Sequence, residues 1–314
     1  MPDIPRGWRP VLMALTILVA GCSAPPDPAP AEDAAVRQLV SEARRLDLDG
    51  QQDAAIARYR QALERQPDSF DAHYGLGRAL DLAGEYDEAR RHFSRAIELA
   101  PEGQKEQTLR MMGIAWTFVG DAGEASRYFR EVFDRRVAES NHASAAEEAN
   151  ELGRMYLELG NLELAEQWYG TGHEVAGRAA DRRPWQVDLA DMRLAHARAR
   201  VAARRGDVAA ARRQAAEVER LLDKGGNDEQ RIHYPHLLGY VAFQAGEYQE
   251  AIAALAQADQ DDPFVLELLA QAHDRLGHAD EAREYYEKVL QSSSHGITSA
   301  FARPRARQYL DTAR

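Results

Sequence analysis

The sequence predicts an all-α protein, a solenoid of about seven stacked helical hairpins with one further helix capping its C-terminal end. Three observations carry this. Glycine recurs at Gly50, Gly84, Gly120, Gly160, Gly206, Gly246 and Gly277. Each is followed five residues later by an alanine, namely Ala55, Ala89, Ala125, Ala165, Ala211, Ala251 and Ala282. Four residues beyond each alanine stands a bulky side chain: Tyr59, Phe93, Phe129, Tyr169, Leu255 and Tyr286, with Ala215 the exception. A unit of about 34 residues, built as one glycine turn between two helices, is how stacked hairpin arrays read in sequence.

The second unit shows the physics. Leu76, Leu80, Ala89, Phe93 and Ala96 recur at helical spacing and must face a core. Gly77 and Ala89 are small and let the two helices approach closely. Gly84 ends the first helix where a positive φ is expected, and Pro101 stops the second because proline cannot continue a helix. Leu76, Gly77, Ala89, Phe93 and Pro101 together resemble the tetratricopeptide repeat at that family's own spacing. The resemblance extends through seven units, so the array is expected over residues 34–291. It implies a tetratricopeptide-type α-solenoid whose surface holds partners.

The period is not uniform. Successive turn glycines lie 34, 36, 40, 46, 40 and 31 residues apart. The extra residues fall around Ala138–Ser144, Gly170–Arg183 and Asp223–Asp228 and read as lengthened helices or loops. Unit five diverges most: it is rich in alanine, with Ala199, Ala202, Ala203, Ala211 and Ala215, and has Ala215 where other units carry a bulky side chain. It should bury little per residue and be the softest unit or a bend.

Residues 1–21 read as an export signal. Arg6 and Arg9 precede the apolar run Val11–Ala20, too short to span a bilayer but suited to a signal-peptide core. Val19, Ala20, Gly21 and Cys22 resemble a bacterial lipobox, which implies cleavage before Cys22 and lipid on that residue. Cys22 is the only cysteine, so no intramolecular disulfide can form. Residues 22–33 then form a tether rich in proline, with Pro25, Pro26, Pro28 and Pro30, reaching roughly 30 Å at about 3 Å per residue. Ser23 does not resemble the aspartate that marks inner-membrane retention in enteric bacteria, so the expected destination is the outer membrane, facing the periplasm. At the other end, residues 292–314 should form a capping helix. Ala300, Phe301, Tyr309 and Leu310 would cover the last hairpin, with Arg303, Arg305, Arg307 and Arg314 outward and Pro304 kinking or starting the helix.

Lysine and arginine number 39 against 51 aspartates and glutamates, a net charge of −12. Such a body argues against nucleic acid, which needs a basic footprint. No glycine-rich phosphate loop, zinc-protease helix motif or nucleophile elbow occurs in the sequence. The expectation is a protein without enzymatic activity, cofactor or metal. His233 and His236, three apart, have a spacing that can hold a metal but no third ligand nearby in sequence. Asp259, Asp261 and Asp262 before Pro263 read as a solvated helix end.

In arrays of this family the first helix of each hairpin lines the concave face. Unit five places Arg193, His196, Arg200 and Arg204 there, and unit six places His233, His236, Tyr240 and Phe243. These eight form a basic and aromatic patch on an acidic protein, the composition that interface hot spots favour. Arginine forks suit carboxylates, so the expected partner is a protein or peptide segment, acidic or carboxylate-bearing. Units one and two add Arg37, Arg44, Tyr74 and Arg78, diluted by Asp47, Asp71 and Asp81. The paired asparagines and lysines of chaperone-binding tetratricopeptide domains are not reproduced, and only Asn150 sits on such a face. The functional expectation is a lipid-tethered adaptor of the cell envelope. Its alternatives are a dedicated pilotin-like or outer-membrane assembly factor and, from a different class, an enzyme or metal-dependent module using His233 and His236.

Overall fold

Among the described residues seven helical hairpins follow one another, with turns at the glycines that mark the repeat. The structure is a computed structural model and describes residues 33–312. The expected signal segment, Cys22, nearly all of the proline-rich tether, and Arg314 lie outside the described residues. The hairpins are α1 (Ala34–Leu48) with α2 (Gln52–Arg65), α3 (Phe70–Ala83) with α4 (Tyr86–Leu99), and α5 (Glu102–Phe118) with α6 (Ala122–Ala138). Then come α7 (His142–Glu158) with α8 (Leu162–Ala176), α9 (Pro184–Arg204) with α10 (Val208–Asp223), α11 (Tyr234–Gln244) with α12 (Tyr248–Leu255), and α13 (Pro263–Arg275) with α14 (Ala279–Gln291). A final helix, α15, spans Ile297–Thr312.

Local chemistry sets the boundaries. Ser69, Asp121, Asn141, Asn161 and Asp207 each cap a helix by accepting a hydrogen bond from the backbone N–H three residues on. All seven turn glycines have φ between +74° and +96°. At Gly84 this left-handed backbone lets the N–H groups of Gly84 and Glu85 both donate to the Leu80 carbonyl, at 2.9 and 2.8 Å, closing the end of α3. The extra residues of the middle units appear mainly as longer helices, 17 residues in α5, α6 and α7 and 21 in α9, against 14 in α3.

Inside four of the hairpins a glycine of the first helix faces a bulky residue of the second. A Cβ on Gly77 would stand 2.9 Å from the Phe93 ring, one on Gly113 3.0 Å from Phe129, and one on Gly153 2.7 Å from Tyr169. Gly239 meets Leu255 in the same way. Unit five has Ala199 and Ala215 at these two places, both buried. Its first helix is also a seam. Ala197 and Val201 belong to the apolar core of the N-terminal units, whereas Met192, Ala195, Ala199 and Ala203 belong to a second core shared with α10, α11 and α13.

The C-terminal segment corrects the sequence expectation in part. Tyr309 and Leu310 do pack on the last hairpin, beside Tyr286, but Ala300 and Phe301 are buried in the core of the N-terminal units. α15 covers α13 and α14, as a capping helix should, and packs in addition against α5 and α7. Three of its arginines therefore point inward. Arg303, 2 % exposed, donates to the carbonyls of Leu82 at 2.6 Å, Ser292 at 2.8 Å and Val289 at 3.2 Å. Arg307 donates to the Leu82 carbonyl and, at 3.1 Å, to the Tyr86 hydroxyl. Arg305 pairs with buried Glu267 at 2.8 Å. His295, just before α15, pairs with Asp81 of α3 at 2.9 Å, both side chains buried. A helix enclosed on several sides must find acceptors for its guanidinium groups within the protein. The helix runs through Pro304, which lies in its interior and neither starts nor ends it.

Stability in repeat arrays is approximately a sum of unit and interface terms, so the alanine-lined seam should open before its neighbours. Amide hydrogen exchange is expected to be faster across residues 184–222 than across residues 70–100. Equal or greater protection in the former segment would contradict this.

Candidate functional site: two recesses on the inner face

The inner face has a sequence register. Counting back from each turn glycine, the residues six, ten and thirteen positions earlier share one stripe of the first helix, since their spacings are three and four. In unit five these are Arg200, His196 and Arg193, and in unit six Tyr240, His236 and His233. Applied to units three, four and seven, the register finds Arg110, Glu147, Asn150, Arg154, Phe264 and Glu267.

The structure brings these side chains around two recesses. Arg193, His196, Arg200, His233 and His236 line the first, of about 490 Å³, with Arg110, Asn150 and Arg154 opposite. Arg204, Tyr240 and Phe243 line the second, of about 460 Å³, with Glu158, Tyr286 and Arg305. α15 borders both, through Thr298 at the first and Arg305 at the second. The eight residues read from units five and six are thus divided, and the sequence gives no hint of the division. His233 ends a short 3₁₀ turn, Asp228–His233, and only His236 lies within α11.

Burial separates the eight further. Arg200 and Tyr240 are 4 % and 1 % exposed and belong to the packed interior of the face. Arg200 donates to the Tyr169 hydroxyl at 2.9 Å, with its guanidinium carbon 5.6 Å from the centre of that ring. Arg193 pairs with Glu147 at 3.6 Å and Arg204 with Glu158 at 3.4 Å. His233 is exposed at the rim. The residues of units one and two also find partners: Arg44 pairs with Asp71, Arg78 with Asp47 at 3.8 Å, and Tyr74 accepts from Gln107 at 3.4 Å.

Carboxylates reach into the same space. Glu148, fully buried, receives Arg110 and Arg136 at 2.9 Å each, yet burial pushes its pKa up to about 6 against their opposing pull. Asp262 corrects its reading as a solvated helix end. It caps α13 by accepting from the Phe264 N–H at 2.9 Å, borders the first recess, and has its pKa raised by burial.

The imidazoles behave oppositely. Burial, then Arg200, hold His196 well below the ordinary histidine range and bring His236 down to about 3. The folded state thus resists a proton that the unfolded chain accepts. This contribution to stability is complete above the ordinary histidine value of about 6.5 and is lost as pH falls toward about 3. Buried carboxylates with raised pKa act in the opposite sense over the same window, so urea denaturation isolates the imidazole as the difference between wild type and a His236 variant. His236→Gln should lower the slope of stability against pH by up to one proton, about 1.4 kcal/mol per pH unit. An unchanged slope would mean that His236 is not such a group.

With this geometry in place the chain can be compared with known proteins. The tetratricopeptide repeat sequence model matches residues 40–103, 118–170 and 236–297, and a second tetratricopeptide repeat model matches residues 192–217. No curated protein sequence matches the chain. Among solved structures, a tetratricopeptide repeat protein from Parabacteroides merdae is 15% identical, with a TM-score of 0.51, covering 89% of this chain and 98% of its own. The apo form of RapI is 14% identical, with a TM-score of 0.54, covering 88% and 99%. PilW, a type IV pilus biogenesis factor, is 14% identical, with a TM-score of 0.48, covering 80% and 98%. At these identities the first two, with TM-scores above 0.5, show a common fold. The repeat models span more than half of the sequence and fall on the hairpins described above, so the chain belongs to the tetratricopeptide repeat family.

Proposed function

We propose that this protein is a non-enzymatic adaptor of the bacterial cell envelope, held at the membrane by lipid on Cys22. Tetratricopeptide arrays are scaffolds for protein–protein contacts. The observation that carries the reading for this chain is the inner face, where arginine, histidine and aromatic side chains border two recesses. Arg193 and His233 at the first recess, with Arg204 and Phe243 at the second, are its more accessible donors and anchors. They suit a protein segment with acidic or carboxylate groups and an apolar anchor.

The lipobox at residues 19–22 and the proline-rich residues that follow support export and tethering. The outer membrane, facing the periplasm, is the proposed location. A dedicated assembly factor would use the same surface for a single client. A metal-dependent module would need a third ligand gathered with His233 and His236, and no such group of three occurs among the described residues.

Photo-cross-linkers placed at His233 and at Phe243 in living cells should trap the same discrete partner. A cross-linker at Arg213, exposed on a second helix, should not. An identical adduct pattern from all three positions would remove the inner face as the partner site. The anchor is tested separately with a clickable palmitate analogue: label should enter the wild-type protein and be absent from Cys22→Ala. Equal label in both would exclude lipidation at Cys22.

A further inference from the structure

The first recess holds a positive charge without a counter-charge. Of the five arginines that line it, four have a carboxylate within ion-pair reach. Arg110 and Arg136 share Glu148, Arg154 stands 3.9 Å from Glu151, and Arg193 stands 3.6 Å from Glu147. Arg200 has none among the described residues. Its Nη2 donates to a neutral hydroxyl, that of Tyr169, and its Nε has no hydrogen-bond partner. The residue is 4 % exposed, so little of it meets bulk water. A guanidinium removed from water in this way is costly unless an anion accompanies it.

Its neighbours do not supply one. α9 places His196 one turn from Arg200, and α11 places His236 with its ring centre 6.4 Å from that of His196. The Nε2 atoms of both rings are without partners. α7 contributes Arg154 with Glu151, α8 contributes Tyr169, and His233 faces in from the 3₁₀ turn. Asp262, ahead of α13, also lines the recess but is engaged by the Phe264 N–H at 2.9 Å. Glu158 feels the field of Arg200 but is paired with Arg204. Thr298 of α15 closes the remaining side.

We propose that the floor of this recess binds a small oxyanion, a phosphate or carboxylate group, between Arg200, Arg154 and the rings of His196 and His236. The anion provides the charge that Arg200 lacks, and the volume of about 490 Å³ lies in the range of small-molecule sites. Without it, burial and then the charge of Arg200 disfavour protonation of both imidazoles, and an anion opposes the second of these. With it, protonation becomes more favourable, so binding takes up a proton and tightens as pH falls from about 8 toward about 6. The site concerns a small solute at the floor of the recess and is independent of whether a protein partner reaches the rim.

The test uses the full-length chain in mild detergent, titrated calorimetrically with inorganic phosphate and, separately, with acetate up to about 10 mM. Each titration is run at about pH 6 and about pH 8, in two buffers of different ionisation heat. Saturable binding of at least one anion is expected, tighter at the lower pH. Binding of phosphate alone assigns a phosphate group, and binding of acetate alone a carboxylate. Acetate stays ionised across this range, so a buffer-dependent heat in that arm reports proton uptake by the protein. Arg200→Gln and Arg154→Gln should each weaken binding by about tenfold or more. The paired change His196→Gln with His236→Gln should keep binding but abolish proton uptake. Arg154 is the more exposed of the two arginines, so Arg154→Gln decides the matter if Arg200→Gln fails to fold. Absence of saturable binding by both anions, or affinity unchanged in the folded arginine variants, overturns the site.

Discussion

The carbonyl of Leu82 is the point on which the arrangement of the inner face depends. It lies in the last turn of α3, among the acceptors that a helix end leaves without intrahelical partners. Arg303 and Arg307 both donate to it, from more than two hundred residues away in sequence. Their charge also suits the negative end of the helix dipole. Next to this contact, His295 lies against the rings of Phe93 and Phe118 while pairing with Asp81. Together these contacts hold α15 against the N-terminal units. From there α15 supplies Thr298 to the first recess and Arg305 to the second.

The same face carries an unusual number of buried carboxylates. Asp47, Asp81, Glu148, Glu158 and Glu267 are all less than 9 % exposed, and each has an arginine or histidine partner. Burial raises the pKa of every one against the pull of its partner. Such pairs add little net stability, because desolvation offsets much of the attraction, but losing one member leaves a buried charge uncompensated. Their effect is to admit only one register of packing. A helix that slid by one residue would separate Arg305 from Glu267 and Arg303 from its three carbonyls.

The repeat was legible because it is local. Turn glycines, the alanine five residues on and the bulky residue after it all act within one hairpin, and each is forced by close contact or by positive φ. Arg193, His196, Arg200 and Arg204 could be placed on one stripe from helical spacing alone. The same spacing, carried into units three, four and seven, would have found Arg110, Arg154 and Phe264. What sequence could not show was the return of α15 to the N-terminal units. Arg303 and Arg307 look like solvent-facing arginines at the end of an acidic chain. Nothing within a dozen residues of them announces Leu82 or Tyr86. The burial of Asp81 and Asp262 was hidden for the same reason, since carboxylates beside helix ends are ordinarily wet.

An open solenoid can gain or lose a repeat at little cost, because each unit touches only its neighbours. Here the last segment must meet the second hairpin. The rotation accumulated over the intervening units therefore has to bring residues 295–307 back to residues 81–86. Duplication or deletion of one hairpin would move one side of that meeting by a full unit and leave Asp81, Arg303 and Arg307 facing the wrong surface. In this protein the number of repeats is fixed by geometry, as the number of staves is fixed in a closed barrel, and divergence is confined to changes within units.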